Sequence, residues 1–277
     1  MKKYICFLFI LLILVPTVPK HRYAFCETEN LEEAEQDEIH LPILMYHAVF
    51  PNNIKRLPYS VHLSDLQSDL DYIKSEGYTT ILAKDLIEYC ENEIPLPEKP
   101  IMLTFDDGYY SVLSLVLPEL QARNMKAVAA VVGKYTEKNC EHNDIYGYLD
   151  YNDIKTLEES GHIEIANHSD YMHEQWPRHG MMKKWKEDED SYKISFQSDL
   201  TSMQDKLAKV GVRPIALAYP FGFFEKNSDN YAKELGFKVS FSCREKINKI
   251  NKESNLFGLC RFNRDKKNAR QILENCK

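Results

Sequence analysis

The sequence predicts an α/β fold in which parallel strands close into a (β/α) barrel, and three observations predict it. Short apolar runs alternate with amphipathic helical patterns from about residue 41 to residue 263. There are about seven such units, enough to curl a sheet into a barrel. The conspicuous polar residues, His47, Asp106, Asp107, His168 and Tyr219 to Gly222, fall at the C-terminal ends of strand candidates. A barrel gathers such ends into one mouth.

The elements follow in order. LPILMYHAVF (41–50), bounded by Pro42 and Pro51, reads as a buried strand. In 64–78, Leu66, Leu70 and Ile73 share one helical face, with Ser64 as N-cap and Gly77 as stop. YTTILAKDLIEYC gives a short strand and a second helix. KPIMLTFDDG is a buried strand, VLSLVLPELQARN a helix, KAVAAVVG a strand, YNDIKTLEESG a helix and HIEIANHS a strand. A polar, irregular stretch runs from Met172 to about Asp190. The helix SFQSDLTSMQDKLAKVG, the strand PIALAYPFG, the helix NSDNYAKELG, the strand FKVSFSC and a short strand near LFGLCRFN complete the pattern.

The N-terminus carries Lys2 and Lys3, an uncharged stretch from Tyr4 to Pro19, then Lys20 and Arg22. That stretch falls short of the roughly 20 residues that span a bilayer comfortably, so segment 1–26 reads as a signal peptide, with a retained membrane anchor as the alternative. Residues 27–38, ETENLEEAEQDE, are acidic with no base and read as a solvated linker. The remaining 39–277 reads as one domain, working in the secreted fraction or on the extracellular face of the membrane. Loss of Lys2, Lys3, Lys20 and Arg22 with the leader would leave 31 basic against 42 acidic residues. That balance argues against nucleic acid as a partner. None of the seven Cys form a C-x-x-C pair; Cys243 and Cys260 are either a disulfide or free thiols.

The chemistry concentrates in LTFDDG (103–108). Two adjacent carboxylates repel each other, and in a straight strand they would point to opposite faces. Gly108 lets the backbone turn so that both enter one pocket. A cation relieves the repulsion, one carboxylate coordinating it and the other remaining free. His168 and His173, in NHSDYMH, supply nitrogen ligands, and a set of two His and one carboxylate with open positions suits zinc or another first-row metal. An isolated Asp pair is usually a solvated turn and two His five apart are usually coincidence. Here both fall at strand ends of one barrel. Tyr109 and Tyr110 are candidates for the pocket wall. Trp176 and Trp185 are candidates for stacking on sugar faces, and His62, His142, His162 and His179 read as surface or packing residues.

TFDDG, HSDYMH and AYPFG together resemble the first three motifs of the polysaccharide deacetylases, carbohydrate esterases with the NodB-type domain, over about residues 41–265. The resemblance implies a distorted (β/α)7 barrel and metal-dependent removal of acetyl groups from an N-acetylglucosamine glycan. It implies a divalent ion, zinc first with cobalt or nickel as alternatives. By position, Asp106 resembles the general base and Asp107, His168 and His173 the metal ligands. The Pro220–Phe221 turn resembles the backbone donor to the oxyanion, with Phe221, Tyr219 and Tyr109 as oxyanion or substrate contacts.

Three departures from the family pattern carry information. Four residues separate His168 from His173 where three are usual, which resembles the branch acting on poly-β-1,6-N-acetylglucosamine. Ala218 stands where many members carry an arginine beside the base. No Leu-x-His strand follows YPFG; ILMYHAVF instead resembles the permuted order of the exopolysaccharide branch, which places the catalytic acid near the N-terminus, and the resemblance implies that His47 is the acid. Peptidoglycan and other acetylated glycans are the alternative substrates. A catalytically dead glycan-binding module and a structural envelope protein are the readings outside enzymology.

Overall fold

The computed structural model describes residues 38–138, 142–145 and 147–276. The signal or anchor segment 1–26 and the acidic linker through residue 37 lie outside the described residues, as does the tether they imply. Seven parallel strands form the main sheet: β1 (Ile43–Tyr46), β2 (Pro100–Phe105), β3 (Ala127–Val131), β4 (Ile163–Asn167), β5 (Ala216–Ala218), β6 (Val239–Phe241) and β7 (Phe262–Asn263). Their spatial order is β6-β5-β4-β3-β2-β1-β7, with Thr79–Thr80 pairing beside β2. The sheet curls until one chain segment bridges its two ends. Leu259 exchanges backbone hydrogen bonds with Ser240 and Ser242 beside β6, and three residues later Phe262 pairs with Leu44 of β1. The (β/α)7 barrel is therefore distorted, closed by a segment rather than by a full strand.

Alternation along the strands sorts the core into two layers. Outward residues such as Leu103, Phe105, Ile163 and Ile165 pack with Leu66, Leu70 and Ile73 of α1 (Leu63–Ser75) and with residues of the later helices. Each such buried side chain contributes about 1.5–3 kcal/mol. Inward residues include Met102, Val128, Ala130, Ala166, Ala216 and Ala218. The alanines suit a narrow lumen. The same inward series, continued upward, places His47, Asp106 and His168 at the mouth.

The remaining helices are α2 (Ala83–Asn92), α3 (Leu117–Arg123), α4 (Gly133–Lys138), α5 (Tyr151–Glu159), α6 (Glu189–Ala208), α7 (Ser228–Glu234) and α8 (Ala269–Glu274). Helices α4 and α8 are not among the expected elements, and two further stretches differ from the expectation. The turn before α3, Val112–Val116, is a π-helix. Helix α6 begins six residues earlier than its apolar pattern, because Asp188 caps it by accepting from Ser191 N–H. The expected strand 41–50 is broken at Pro42, before which Ile39–Leu41 pairs antiparallel with Asn248–Ile250, and again at His47. Its last part, Ala48–Phe50, leaves the barrel to pair with Ser60–His62.

Candidate active site

Asp106 and Asp107 do both turn inward, and the turn begins at Asp107 itself. Its φ is +74° and that of Gly108 is +73°, consecutive left-handed residues that Asp and Gly tolerate best. A side chain at position 108 would also press on Val131, whose Cγ1 lies 3.2 Å from the Cβ position. Asp106 thus continues the inner face of β2, while Asp107 swings across the mouth towards β4.

Asp107 Oδ1 lies 3.0 Å from His173 Nε2 and 3.6 Å from His168 Nε2. Neighbouring ligands of an ion with bonds of about 2.1 Å sit roughly 3.0–3.4 Å apart, so the three atoms are spaced close to that requirement. The tautomers suit it as well. His168 Nδ1 donates to the Ala218 carbonyl at 2.7 Å, which leaves Nε2 as the lone-pair nitrogen of the neutral ring. Burial holds the His168 imidazole down at about 4, so the ring is neutral near pH 7. His173 Nδ1 meets the Tyr135 hydroxyl at 3.0 Å. Burial, then the Asp107 charge, pushes that hydroxyl up to about 12. The donor set fits a divalent first-row ion held by Asp107, His168 and His173.

Asp106 is in a different situation. Its carboxylate is gripped end-on by Arg261, Nη1 to Oδ1 at 2.7 Å and Nη2 to Oδ2 at 2.8 Å. Arg261 is fully buried, and its other donors reach Thr104 Oγ1 at 3.1 Å and the Ser242 carbonyl at 3.0 Å. Burial pushes the Asp106 carboxyl up, but the Arg261 charge, with His168 and the arginine hydrogen bonds, outweighs it and leaves the acid well below the usual carboxylate range. Each oxygen retains a lone pair for a further hydrogen bond. Arg261 was not among the expected site residues. It places beside Asp106, from the barrel-closing segment, an arginine that position 218 lacks. The available signal was an arginine inside the apolar run LFGLCRFN, since a buried guanidinium requires a carboxylate.

These groups surround a cleft of about 420 Å³ whose wall also includes His47, Tyr59, Tyr109, His179, Phe221 and Phe223. His47 Nδ1 is buried without a hydrogen-bond partner among the described residues, which is uncommon for a polar atom in a finished interior. Phe221 adopts φ +57° at the turn after β5, and its ring lies 4.5 Å from that of His173. Tyr109 stacks on Tyr148 at 4.9 Å.

Other expected residues are placed elsewhere. The Tyr219 side chain is directed away from the cleft: it is fully buried, donates to Asp229 at 2.7 Å and stacks on Phe224. Strand alternation explains this, since Ala218 faces inward and its neighbour must face out. His179, read as surface or packing, lines the cleft and sits 4.0 Å from the Phe223 ring. Trp176 and Trp185 are exposed. Cys243 and Cys260 are free thiols, Cys243 on the cleft wall. His142 approaches Asp153 at 3.2 Å, but Asp150 and Asp153 are already engaged in capping α5.

Fold and cleft together define a barrel protein with two acids of unequal surroundings beside a pair of histidines. The chain belongs to the polysaccharide deacetylase family, whose model matches residues 93–240. It is similar to the poly-β-1,6-N-acetyl-D-glucosamine N-deacetylase of Escherichia coli K12, 24% identical across 87% of this chain and 40% of the relative. The Staphylococcus aureus NCTC 8325 protein of the same name is 23% identical across 88% of this chain and 87% of the relative. Among solved structures, a de-N-acetylase from Aggregatibacter actinomycetemcomitans superimposes with TM-score 0.71, at 22% identity over 86% of this chain and 100% of that one. IcaB from Ammonifex degensii gives TM-score 0.70 at 23% identity, covering 86% and 97%. The chain spans less than half of the E. coli relative's length.

Proposed function

We propose that the chain is a hydrolase that removes N-acetyl groups from an N-acetylglucosamine polysaccharide, first of all poly-β-1,6-N-acetylglucosamine, with a divalent ion held by Asp107, His168 and His173. The observation that supports this best is the contrast at the mouth: Asp107 joins the two histidines, while Asp106, one residue away, is held apart by Arg261. The relatives' names favour the β-1,6 polymer, and peptidoglycan remains the rival substrate. Zinc is the first choice of ion, with cobalt or nickel as alternatives, and the enzyme works outside the membrane, released or tethered.

When bound, the ion supplies Lewis acidity to the acetyl carbonyl and to water. Asp106, fixed as a carboxylate by Arg261, accepts a proton from the attacking water. The Phe221 N–H at the left-handed turn is the backbone donor for the developing oxyanion. His47 delivers a proton to the glucosamine nitrogen as the amide C–N bond breaks. Water is consumed, and acetate and a free amine are released.

Acetate release from poly-β-1,6-N-acetylglucosamine oligomers and from peptidoglycan, before and after chelation, tests the reading. Release should be faster from the β-1,6 polymer, stop on chelation and return with zinc, cobalt or nickel. Full activity in metal-free protein would contradict it, and no release from any acetylated glycan would leave a binding module. His47→Asn should lower turnover on the order of 10² to 10⁴-fold, with metal binding unchanged.

A further inference from the structure

The two histidines lie at the ends of a loop whose backbone is specified by side chains from outside it. Ser169 N–H donates to Asn167 Oδ1 at 2.8 Å. The next three N–H groups all converge on one carboxylate: Asp170 donates to Asp199 Oδ1 at 2.9 Å, and Tyr171 and Met172 donate to Asp199 Oδ2 at 2.7 and 3.1 Å. Three successive N–H groups form a concave anion nest. Asp199 fills it from α6, a helix seated by buried Tyr192, Phe196, Leu200, Met203 and Leu207. The loop is tied a second time where Asp170 accepts from Ser202 at 2.5 Å and from Lys206 at 2.8 Å. Gly133 and Lys134 N–H also donate to the Ser169 and Asp170 carbonyls at 3.1 and 2.8 Å, but the three N–H groups that lead to His173 rest on Asp199 alone among these ties.

We infer that Asp199 is the positioning residue of the metal site: through the 170–172 N–H groups it sets the place of His173 relative to His168, and so the affinity for the ion. This rests on the metal-dependent reading above. Groups that orient metal ligands typically govern affinity by 10 to 100-fold.

The test compares full-length wild type, Asp199→Asn and Asp199→Ala, with Thr201→Ala, on the exposed side of the same helix, as control. Zn²⁺ binding is measured by calorimetry and the Co²⁺ form by visible absorption. Asp199→Asn, which presents an amide NH₂ to at least one loop N–H, should bind about 10 to 100-fold more weakly with an altered Co²⁺ spectrum. Asp199→Ala should lose at least as much, and Thr201→Ala should match wild type. Folded Asp199→Asn with wild-type affinity and spectrum would overturn the inference. Wild-type protein that takes up no ion would overturn the metal reading, and this inference with it. An independent reading needs no variant: amide exchange at Asp170, Tyr171 and Met172 in wild type should be slow for a surface loop, and free exchange there would refute the proposed hold.

Discussion

Two buried acids on the inner face of the barrel have opposite fates. Asp106, at the mouth end of β2, is met by a buried arginine and held well below the ordinary carboxylate range even though burial alone would raise it. Glu164, near the start of β4, shares its strand face with Ala166 and His168. Its partner is one backbone donor, Lys84 N–H at 3.2 Å at the start of α2, and its second oxygen is unpaired among the described residues. Burial pushes Glu164 up to about 7. Similar desolvation therefore gives a permanent anion at one end and an acid poised near neutrality at the other. The nearby charges decide the outcome: Arg261 forks onto Asp106 at the mouth, whereas at Glu164 the Lys84 charge is opposed by Glu158 and Asp85.

Removing that counter-ion is the most drastic way to break the contrast. Arg261→Ala should leave Asp106 uncompensated and cost about 3–5 kcal/mol, visible as a lower denaturation midpoint together with lost turnover. Wild-type stability would mean that the fork contributes little.

Glu164 gives a smaller effect of opposite sense. Its folded-state affinity for a proton exceeds the unfolded one, so stability should fall as pH rises from about 4.5 to about 7. Glu164→Gln should remove this dependence and stabilise the protein above pH 7 by up to roughly 3 kcal/mol, with little change at pH 4. Denaturation at several pH values reads it; identical pH profiles would show that Glu164 is not the source. Smaller still, Tyr219→Phe should lose about 1 kcal/mol, the hydrogen bond to Asp229, while turnover stays normal. A large kinetic defect would return Tyr219 to the cleft.

Legibility in the sequence followed the reach of local rules. Strand ends and the barrel pattern were enough to bring Asp106, Asp107, His168, His47 and Phe221 towards one mouth, because strand periodicity and barrel geometry act on every unit alike. Period two could also have removed Tyr219, since it fixes the face of each residue relative to Ala218. Arg261, Tyr135 and Asp199 were harder to find. Each lies in an ordinary segment and acquires its place only when a strand end, a helix and a loop from distant parts of the chain meet. The early start of α6 was masked because Asp188 to Asp190 resemble solvated loop residues, although they are favourable at a helix N-terminus.

The unequal roles proposed for the two adjacent aspartates are tested most directly by one paired measurement. Metal content and acetate release are determined together for wild type, Asp107→Ala and Asp106→Asn. About one ion per chain is expected in wild type and in Asp106→Asn, with turnover lost in the latter, and a depleted site in Asp107→Ala. An Asp106→Asn protein stripped of its ion beside an Asp107→Ala protein that keeps it would reverse the assignment and contradict the account.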